Sequence, residues 1–217
     1  MTGGAVYDFA DNGFIGGITS NAVKSALTGN QYVTVAAWVY FDTLPTAVHA
    51  IFSYGGQSDG IKFTISGNAL AMTTKGVSDF ATSQSWEALV ANKWVLVAYT
   101  MPGTAAIPEG AANRKTDSRF YVTGTDGQYN TRSVSTMTTP AEAAQLFAIG
   151  SGNQGNAREA FTGSIANLTV MTSDSLMSNS KIATLVGAAP TLMSVSEPAT
   201  AALSLPAPAG LAARRRA

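Results

Sequence analysis

The sequence predicts an all-β protein built as an antiparallel sandwich or barrel. Its 21 glycines, its many Ser, Thr and Asn residues and its few Glu and Lys residues remove strong helix formers and supply turn residues. Short apolar segments recur along the chain, and Gly, Asn and Asp fill nearly every gap between them. The absence of helical periodicity between these segments argues against a parallel sheet with crossover helices.

The clearest strand candidate is the segment 31–41, QYVTVAAWVYF, which carries no charge and is rich in valine and aromatic residues. One alternating set of its side chains, from Val33 to Phe41, is wholly apolar. The other set, which includes Trp38 and Tyr40, mixes polar and aromatic residues. We therefore expect one face of this strand to meet the core and the other to be half covered.

Eight further segments follow as strand candidates in chain order. They are residues 49–54, 61–66, 69–74, 93–101, 119–124, 129–135, 146–149 and 161–171. One short helix is predicted at 178–186, because Leu176, Ile182 and Leu185 can share a face and Gly187 can end the helix. We expect this helix to lie as a lid on a sheet edge.

Composition excludes several classes of function. Charged residues make up 12% of the sequence and hydrophobic residues 46%, which predicts a buried core and argues against disorder. Without residues 191–217, ten basic and twelve acidic residues remain, so we expect no nucleic-acid partner. The absence of cysteine excludes disulfides and thiolate metal sites. A single histidine, His49, argues against His-rich metal sites and Ser-His-Asp catalysis, and we interpret it as a strand residue.

Three motifs point to a known architecture: KWVLVA at 93–98, the hairpin YVTG at 121–124, and the closing strand FTGSIANLTV at 161–170, followed by a Ser-rich turn and the short helix. Their order resembles the laminin-G-like (concanavalin A-like) jelly-roll modules of bacterial surface proteins and carbohydrate-active enzymes, over about residues 5–187. The resemblance implies a jelly-roll β-sandwich over residues 1–190. Ala166 and Asn167 stand where many relatives have an acidic pair, and Thr123 stands where they have Asn, which argues against the calcium site of the family.

The remaining segment, residues 191–217, resembles a PEP-CTERM sorting signal of Gram-negative bacteria. It contains Ser196-Glu197-Pro198, an apolar span at 199–213 and arginines at 214–216. That span is shorter than the about 20 apolar residues of a membrane-spanning helix. On this resemblance we expect an exported protein at the cell surface or outside the cell, with membrane contact only through this tail, and an original signal peptide that was trimmed. The alternative is a flexible tail with no addressing role.

Catalysis by paired carboxylates is not predicted. A glycosidase needs two carboxyl groups that face one groove, and on a strand these stand two positions apart. No glutamate has an acidic residue two or four positions away. The five glutamates are Glu87, Glu109, Glu142, Glu159 and Glu197. We therefore predict that the protein is not an enzyme.

Calcium is the one cofactor for which the sequence offers donors. Asp8, Asp11 and Asn12 lie close together near the first strand, and oxygen donors of this kind suit Ca²⁺. An ordinary turn, in which these side chains bond local amides, explains the same residues. Both interpretations stay open at this point.

Sugar recognition needs flat aromatic rings and planar polar groups on loops of a rigid scaffold. We interpret Trp38 and Trp94 as core residues, because both lie within apolar strands. Other aromatic, amide and basic residues stand in polar settings or near glycine-rich loops and are candidates for a groove or loop rim. The candidates are Tyr54, Gln57, Trp86, Tyr129, Asn153, Gln154, Asn156 and Arg158.

These observations favour a non-catalytic, exported module that binds an extracellular glycan or a surface protein. The alternative is a structural subunit that associates with copies of itself through sheet edges or faces, for which its low charge is suited. A glycoside hydrolase is the third interpretation. Fold alone does not name a ligand.

Overall fold

The computed structural model describes residues 6–9, 13–19, 21–29, 31–55, 60–74, 78–81, 89–103, 118–123, 129–134, 146–153 and 159–190. Within these residues the chain forms two antiparallel sheets of six strands each and two short helices. The predicted all-β sandwich is therefore confirmed. The predicted boundary between a domain at 1–190 and a tail at 191–217 stays a prediction, because the tail lies outside the described residues.

Strands and helices are numbered in chain order. The first sheet has the order β1 (Val6–Phe9), β12 (Gly163–Ser173), β3 (Tyr32–Tyr40), β8 (Val95–Pro102), β9 (Ser118–Thr123) and β10 (Tyr129–Val134). The second sheet has the order β2 (Ile15–Thr19), β11 (Leu146–Ile149), β4 (His49–Tyr54), β5 (Ile61–Ser66), β6 (Ala69–Thr74) and β7 (Ser78–Ala81). The helices are α1 (Asn21–Thr28) and α2 (Asn179–Val186).

All nine predicted strands are present, and β4, β5, β6 and β11 have the predicted bounds. The strands β1, β2 and β7 and the helix α1 were not predicted. In α1, Leu27 is buried and Val23 and Ala26 pack partly against the core. The prediction of a single helix was therefore wrong: three apolar residues at helical spacing form a one-sided helix because the sandwich supplies the surface that covers them.

The core lies between the two sheets. Phe63 of β5 in the second sheet meets Tyr99 of β8 and Phe120 of β9 in the first, with ring centroids 6.4 and 6.3 Å away. At the other end of the sandwich, Phe161 lies 4.9 Å from Phe41 and 6.1 Å from Phe9. These aromatic contacts, with the apolar face of β3, fix the two sheets against each other.

The outer face of the first sheet carries a smaller apolar cluster under α2. Ile182 and Val186 of this helix pack with Ala36, Leu96 and Tyr121 of the sheet. This arrangement confirms that one face of β3 is only half covered. The helix was expected on a sheet edge, but it lies on the face of the sheet. The reason is that small and apolar residues on the outer face offer a surface that a sheet edge lacks. None of the described helices is long and apolar enough to span a membrane.

Two hydrogen bonds join the chain around α2 to this outer face. Tyr121 Oη donates to the Met177 carbonyl at 2.9 Å, and Trp38 Nε1 donates to the Gly187 carbonyl at 3.1 Å. Ser178 caps the helix by accepting a hydrogen bond from the backbone N–H of Lys181. The end of the domain is therefore attached to the first sheet by polar as well as apolar contacts.

Tyr121 is expected to make the stability of the domain depend on alkaline pH. Burial raises the pKa of the Tyr121 phenol, although Thr100 and Arg119 partly oppose this. Because the folded-state pKa lies above the unfolded one, this contribution to stability is complete below about pH 10 and is lost as pH rises through the folded pKa. Chemical denaturation from pH 8 to 11 should show a smaller alkaline loss in Tyr121→Phe than in the wild type. Equal alkaline losses in the two proteins would contradict this assignment.

Candidate functional site

A row of four residues crosses the part of the first sheet's outer face that α2 leaves uncovered. We call Asp8, Ser164, Tyr40 and Trp94 the Tyr40 row. Asp8 pairs with Ser164 across β1 and β12, and Ser164 pairs with Tyr40 across β12 and β3. Trp94 stands directly before β8, where Val95 pairs with Val39. Because paired residues of antiparallel strands point to the same face, the four side chains lie side by side.

Contacts within the Tyr40 row support this order. Ser164 Oγ donates a hydrogen bond to Asp8 Oδ1 at 3.4 Å. The Tyr40 and Trp94 rings are 5.6 Å apart between centroids, at an interplanar angle of 48°. Asp8 is exposed, while Ser164, Tyr40 and Trp94 are half-buried. The row therefore joins a carboxylate and a hydroxyl to two partly accessible aromatic rings.

The two tryptophans that sequence analysis assigned to the core do not belong to it. Trp38 is half-buried at the margin of the small cluster under α2, and Trp94 is half-buried beside Tyr40. Trp94 Nε1 is buried and has no hydrogen-bond partner within the described part of the chain. A buried donor without a partner is uncommon in native structures, so an ordered water is expected to accept its hydrogen bond.

The outer face of the second sheet carries an ion pair between Lys62 and Glu159. Lys62 Nζ contacts both carboxylate oxygens of Glu159, at 2.8 and 2.7 Å. Lys62 lies on β5, on one side of β4. Glu159 lies on the other side of β4, where its carbonyl accepts a hydrogen bond from the N–H of Ala50 in that strand. The ion pair therefore crosses β4, where Ser53, directly opposite Lys62, has a short and fully buried side chain. The carboxylate on this face is neutralised by its partner.

The structure places three of the predicted sugar-contact residues. Tyr54 is only 3% exposed and belongs to the inter-sheet core, so its predicted position on a rim was wrong. Its register explains this, because it pairs with the inward-facing Ile61. Asn153 is also buried, in a turn where its N–H donates to Ser151 Oγ at 3.1 Å. Tyr129 begins the edge strand β10. The candidates outside the described residues are Gln57, Trp86, Gln154, Asn156 and Arg158.

Of the predicted calcium donors, Asp8 lies in β1 and is therefore not a turn residue, while Asp11 and Asn12 lie outside the described residues. No group of three acidic, histidine or cysteine residues that could hold a metal ion occurs among the residues the structure describes. Calcium at this end of the chain stays a prediction.

His49 is a strand residue, as predicted, and lies edge-on to Phe161. Burial lowers the pKa of its imidazole, and a backbone hydrogen bond to Ala160 acts in the opposite direction.

The sequence alone does not show that the members of the Tyr40 row lie together. A signal was present in the mixed face of β3, where Trp38 and Tyr40 stand among small and polar residues. What the sequence lacks is the register that places Ser164 and Asp8 beside Tyr40. Chemically, the row offers flat rings for stacking, and a carboxylate and a hydroxyl that can bond to neighbouring hydroxyls.

The sequence matches one family model, described as the concanavalin A-like lectin/glucanases superfamily (Laminin_G_3), over residues 15–183. None of the curated proteins matches the sequence significantly. The match includes β2 through most of α2 and therefore covers both sheets.

Solved structures that resemble this chain are distant from it in sequence. A variant of the NanB sialidase of Streptococcus pneumoniae has a TM-score of 0.54 at 12% identity, over 83% of this chain and 27% of that chain. The leech intramolecular trans-sialidase has a TM-score of 0.51 at 13% identity, over 83% of this chain and 27% of that chain. The CBM40 domain of the Ruminococcus gnavus IT-sialidase, bound to α2,3-sialyllactose, has a TM-score of 0.48 at 13% identity, over 86% of this chain and 95% of that chain. This chain thus spans about a quarter of the two larger sialidase chains.

Proposed function

Because this chain belongs to the concanavalin A-like lectin/glucanase superfamily, through a match over residues 15–183, we propose that it is a non-catalytic module that binds extracellular carbohydrate through the Tyr40 row. The observation that carries the proposal is the side-by-side placement of Tyr40 and Trp94 next to Ser164 and Asp8. Aromatic rings offer a flat apolar surface to the C–H face of a sugar, and the polar neighbours can bond to its hydroxyls.

The acidic side chains that the structure describes support a binding role over hydrolysis. A glycosidase needs two carboxyl groups about 5 to 9.5 Å apart across one groove. Asp8 lies on the first sheet, whereas Glu159 lies on the outer face of the second sheet and is paired with Lys62. Asp174 accepts a hydrogen bond from Gln31 beyond the end of β12. These three carboxylates are therefore spread over separate places, and a fourth described one, the exposed Asp42, follows the end of β3.

Replacing Tyr40 by leucine is expected to weaken glycan binding about tenfold, because the flat ring is lost while apolar bulk is kept. A glycan array, followed by affinity electrophoresis on the polysaccharides it identifies, measures the effect. Tyr7→Leu is the matched control: Tyr7 is exposed on β1 but pairs with the inward-facing Ile165, so its variant should bind like the wild type. Retention of no glycan by the wild type, or full binding by Tyr40→Leu, would refute the proposal.

The proposal also places the module outside the cell, at a bacterial surface or in the medium. Its support is the resemblance of residues 191–217 to a sorting signal, together with the extracellular location of most polysaccharide ligands. Cell fractionation of the organism of origin, with detection of the full chain, would test this location. Recovery of the chain only from the cytoplasm would contradict it.

A second candidate function is self-association through β1, favoured by two exposed apolar residues on this edge strand. Val6 is 48% exposed and Tyr7 38% exposed, and an edge strand has unpaired backbone groups that another strand can bond. Sedimentation analysis over a range of concentrations distinguishes the candidates. A concentration-dependent polymer that Val6→Lys converts into a monomer would support self-association, and a monomer that binds glycan would support the first proposal.

A further inference from the structure

At one end of the Tyr40 row lies a negative charge, that of Asp8, which no ion pair among the described residues neutralises. Asp8 is exposed, and the hydrogen bond that it accepts from Ser164 is long at 3.4 Å. The one ion pair among the described residues is that of Lys62 with Glu159, on the other sheet. The charge of Asp8 is therefore available to a ligand, whereas that of Glu159 is already compensated.

The aromatic rings near Asp8 favour the same sign of ligand charge. Trp38, Tyr40 and Trp94 share the outer face of the first sheet, and the last two are 5.6 Å apart. The face of an aromatic ring carries partial negative charge and attracts cations, most strongly for tryptophan. A cationic ligand is thus favoured by both the rings and the carboxylate, and an anionic one by neither.

The length of the row favours a polymer over a single sugar. Neighbouring strands in a sheet lie about 4.8 Å apart, so the row extends roughly 14 Å from Asp8 on β1 to Trp94 beside β3. This distance exceeds the length of one sugar ring. A bound chain can therefore stack one unit on the aromatic rings while another unit reaches Asp8.

We propose that the Tyr40 row selects glycans that carry protonated amines, as β-linked glucosamine polymers do, and discriminates against acidic glycans. The inference rests on the proposed function, since it specifies the ligand class of the same surface. An amine near Asp8 forms a charge-assisted hydrogen bond, and an amine over Trp94 or Tyr40 makes a cation–π contact. A carboxylated or sulfated glycan meets the charge of Asp8 with the same sign.

The test compares three probes of equal length by isothermal titration: chitosan oligomers, chitin oligomers and oligogalacturonate. Chitosan and chitin share one backbone and differ in the acetyl group that removes the amine charge, so they isolate the effect of charge. At a pH that protonates the amine, we expect about tenfold tighter binding of chitosan than of chitin, and no binding of oligogalacturonate. The preference should shrink in high salt, which screens exposed charges.

Asp8→Asn keeps the side-chain shape and removes the charge, so it should reduce the preference for chitosan over chitin to about threefold or less. Asp174→Asn is the control, because Asp174 is an exposed carboxylate beyond the end of β12, outside the row, and its loss should leave the preference unchanged. Three results would overturn the inference while leaving glycan binding intact. The wild type would bind chitosan and chitin equally, or it would bind oligogalacturonate more tightly than chitosan. Alternatively, Asp8→Asn would prefer chitosan over chitin as strongly as the wild type does. Failure to bind any glycan on the array refutes the proposed function itself.

Discussion

Replacing Phe63 by alanine is expected to lower the free energy of unfolding by about 3 to 5 kcal/mol. Phe63 is 1% exposed and contacts Tyr99 and Phe120 across the sandwich, so the substitution removes apolar contacts from both sheets and leaves a cavity between them. In a domain of this size the loss corresponds to a fall in the melting temperature of about 10 °C. Urea denaturation, analysed with a common m-value, gives the difference in free energy.

Phe63→Leu is the matched control for the core, because leucine fills much of the same volume. We expect it to cost about 1.5 kcal/mol or less. A loss below about 1 kcal/mol for Phe63→Ala would mean that Phe63 is not between the sheets. Similar losses for the two variants would show that the volume of this residue does not determine the stability of the core.

Most strands of this fold can be predicted from the sequence, because each is a short run of strand-forming residues bounded by turn residues. β4, β5 and β6 are short apolar runs separated by glycine-containing turns, and their bounds were predicted correctly. In β3 the alternation also predicted which face meets the core. In β3 one face is wholly buried and the other only partly, and the alternation of residue types follows this difference.

The elements that were missed have weak local signals. β2 has the sequence IGGIT, in which two glycines remove the alternation that marks a strand. This strand forms because β11 pairs with it and supplies backbone hydrogen bonds. α1 offers only a few apolar residues and depends on the sandwich for its cover. In both cases tertiary contacts, which no local window contains, determine the structure.

The candidate site could not be predicted from the sequence for a related reason. Asp8, Tyr40, Trp94 and Ser164 are spread over more than 150 positions, and only the pairing of β1, β12 and β3 brings three of them into line. The predicted sugar contacts lie near loops, where amides and aromatic residues cluster in the sequence. The apolar neighbours of Trp94 predict a core position, although alternation places it on the outer face with Leu96.

Gly163 connects the stability of the fold to the geometry of the Tyr40 row. It begins β12 with a φ of 125°, a backbone conformation that other residues rarely adopt. A Cβ atom at this position would lie 2.3 Å from the Tyr40 carbonyl oxygen. Because that contact is with backbone, it can be relieved only by separating β12 from β3 at the point where Ser164 pairs with Tyr40.

Gly163→Ala is therefore expected to destabilise the domain by about 3 kcal/mol or more, from the unfavourable φ and the displaced strand together. It should also weaken glycan binding at temperatures where the variant is still folded, because the side chains of the row move apart. Gly17→Ala is the control: Gly17 has a φ of 70°, but a Cβ there meets nothing within 4 Å, so only the conformational cost of about 1 kcal/mol is expected. Thermal denaturation and glycan titration of the two variants separate strain in the backbone from displacement of the row. Equal stability losses would show that the Tyr40 carbonyl does not constrain position 163, and unchanged binding by a folded Gly163→Ala variant would show that the row does not depend on this pairing.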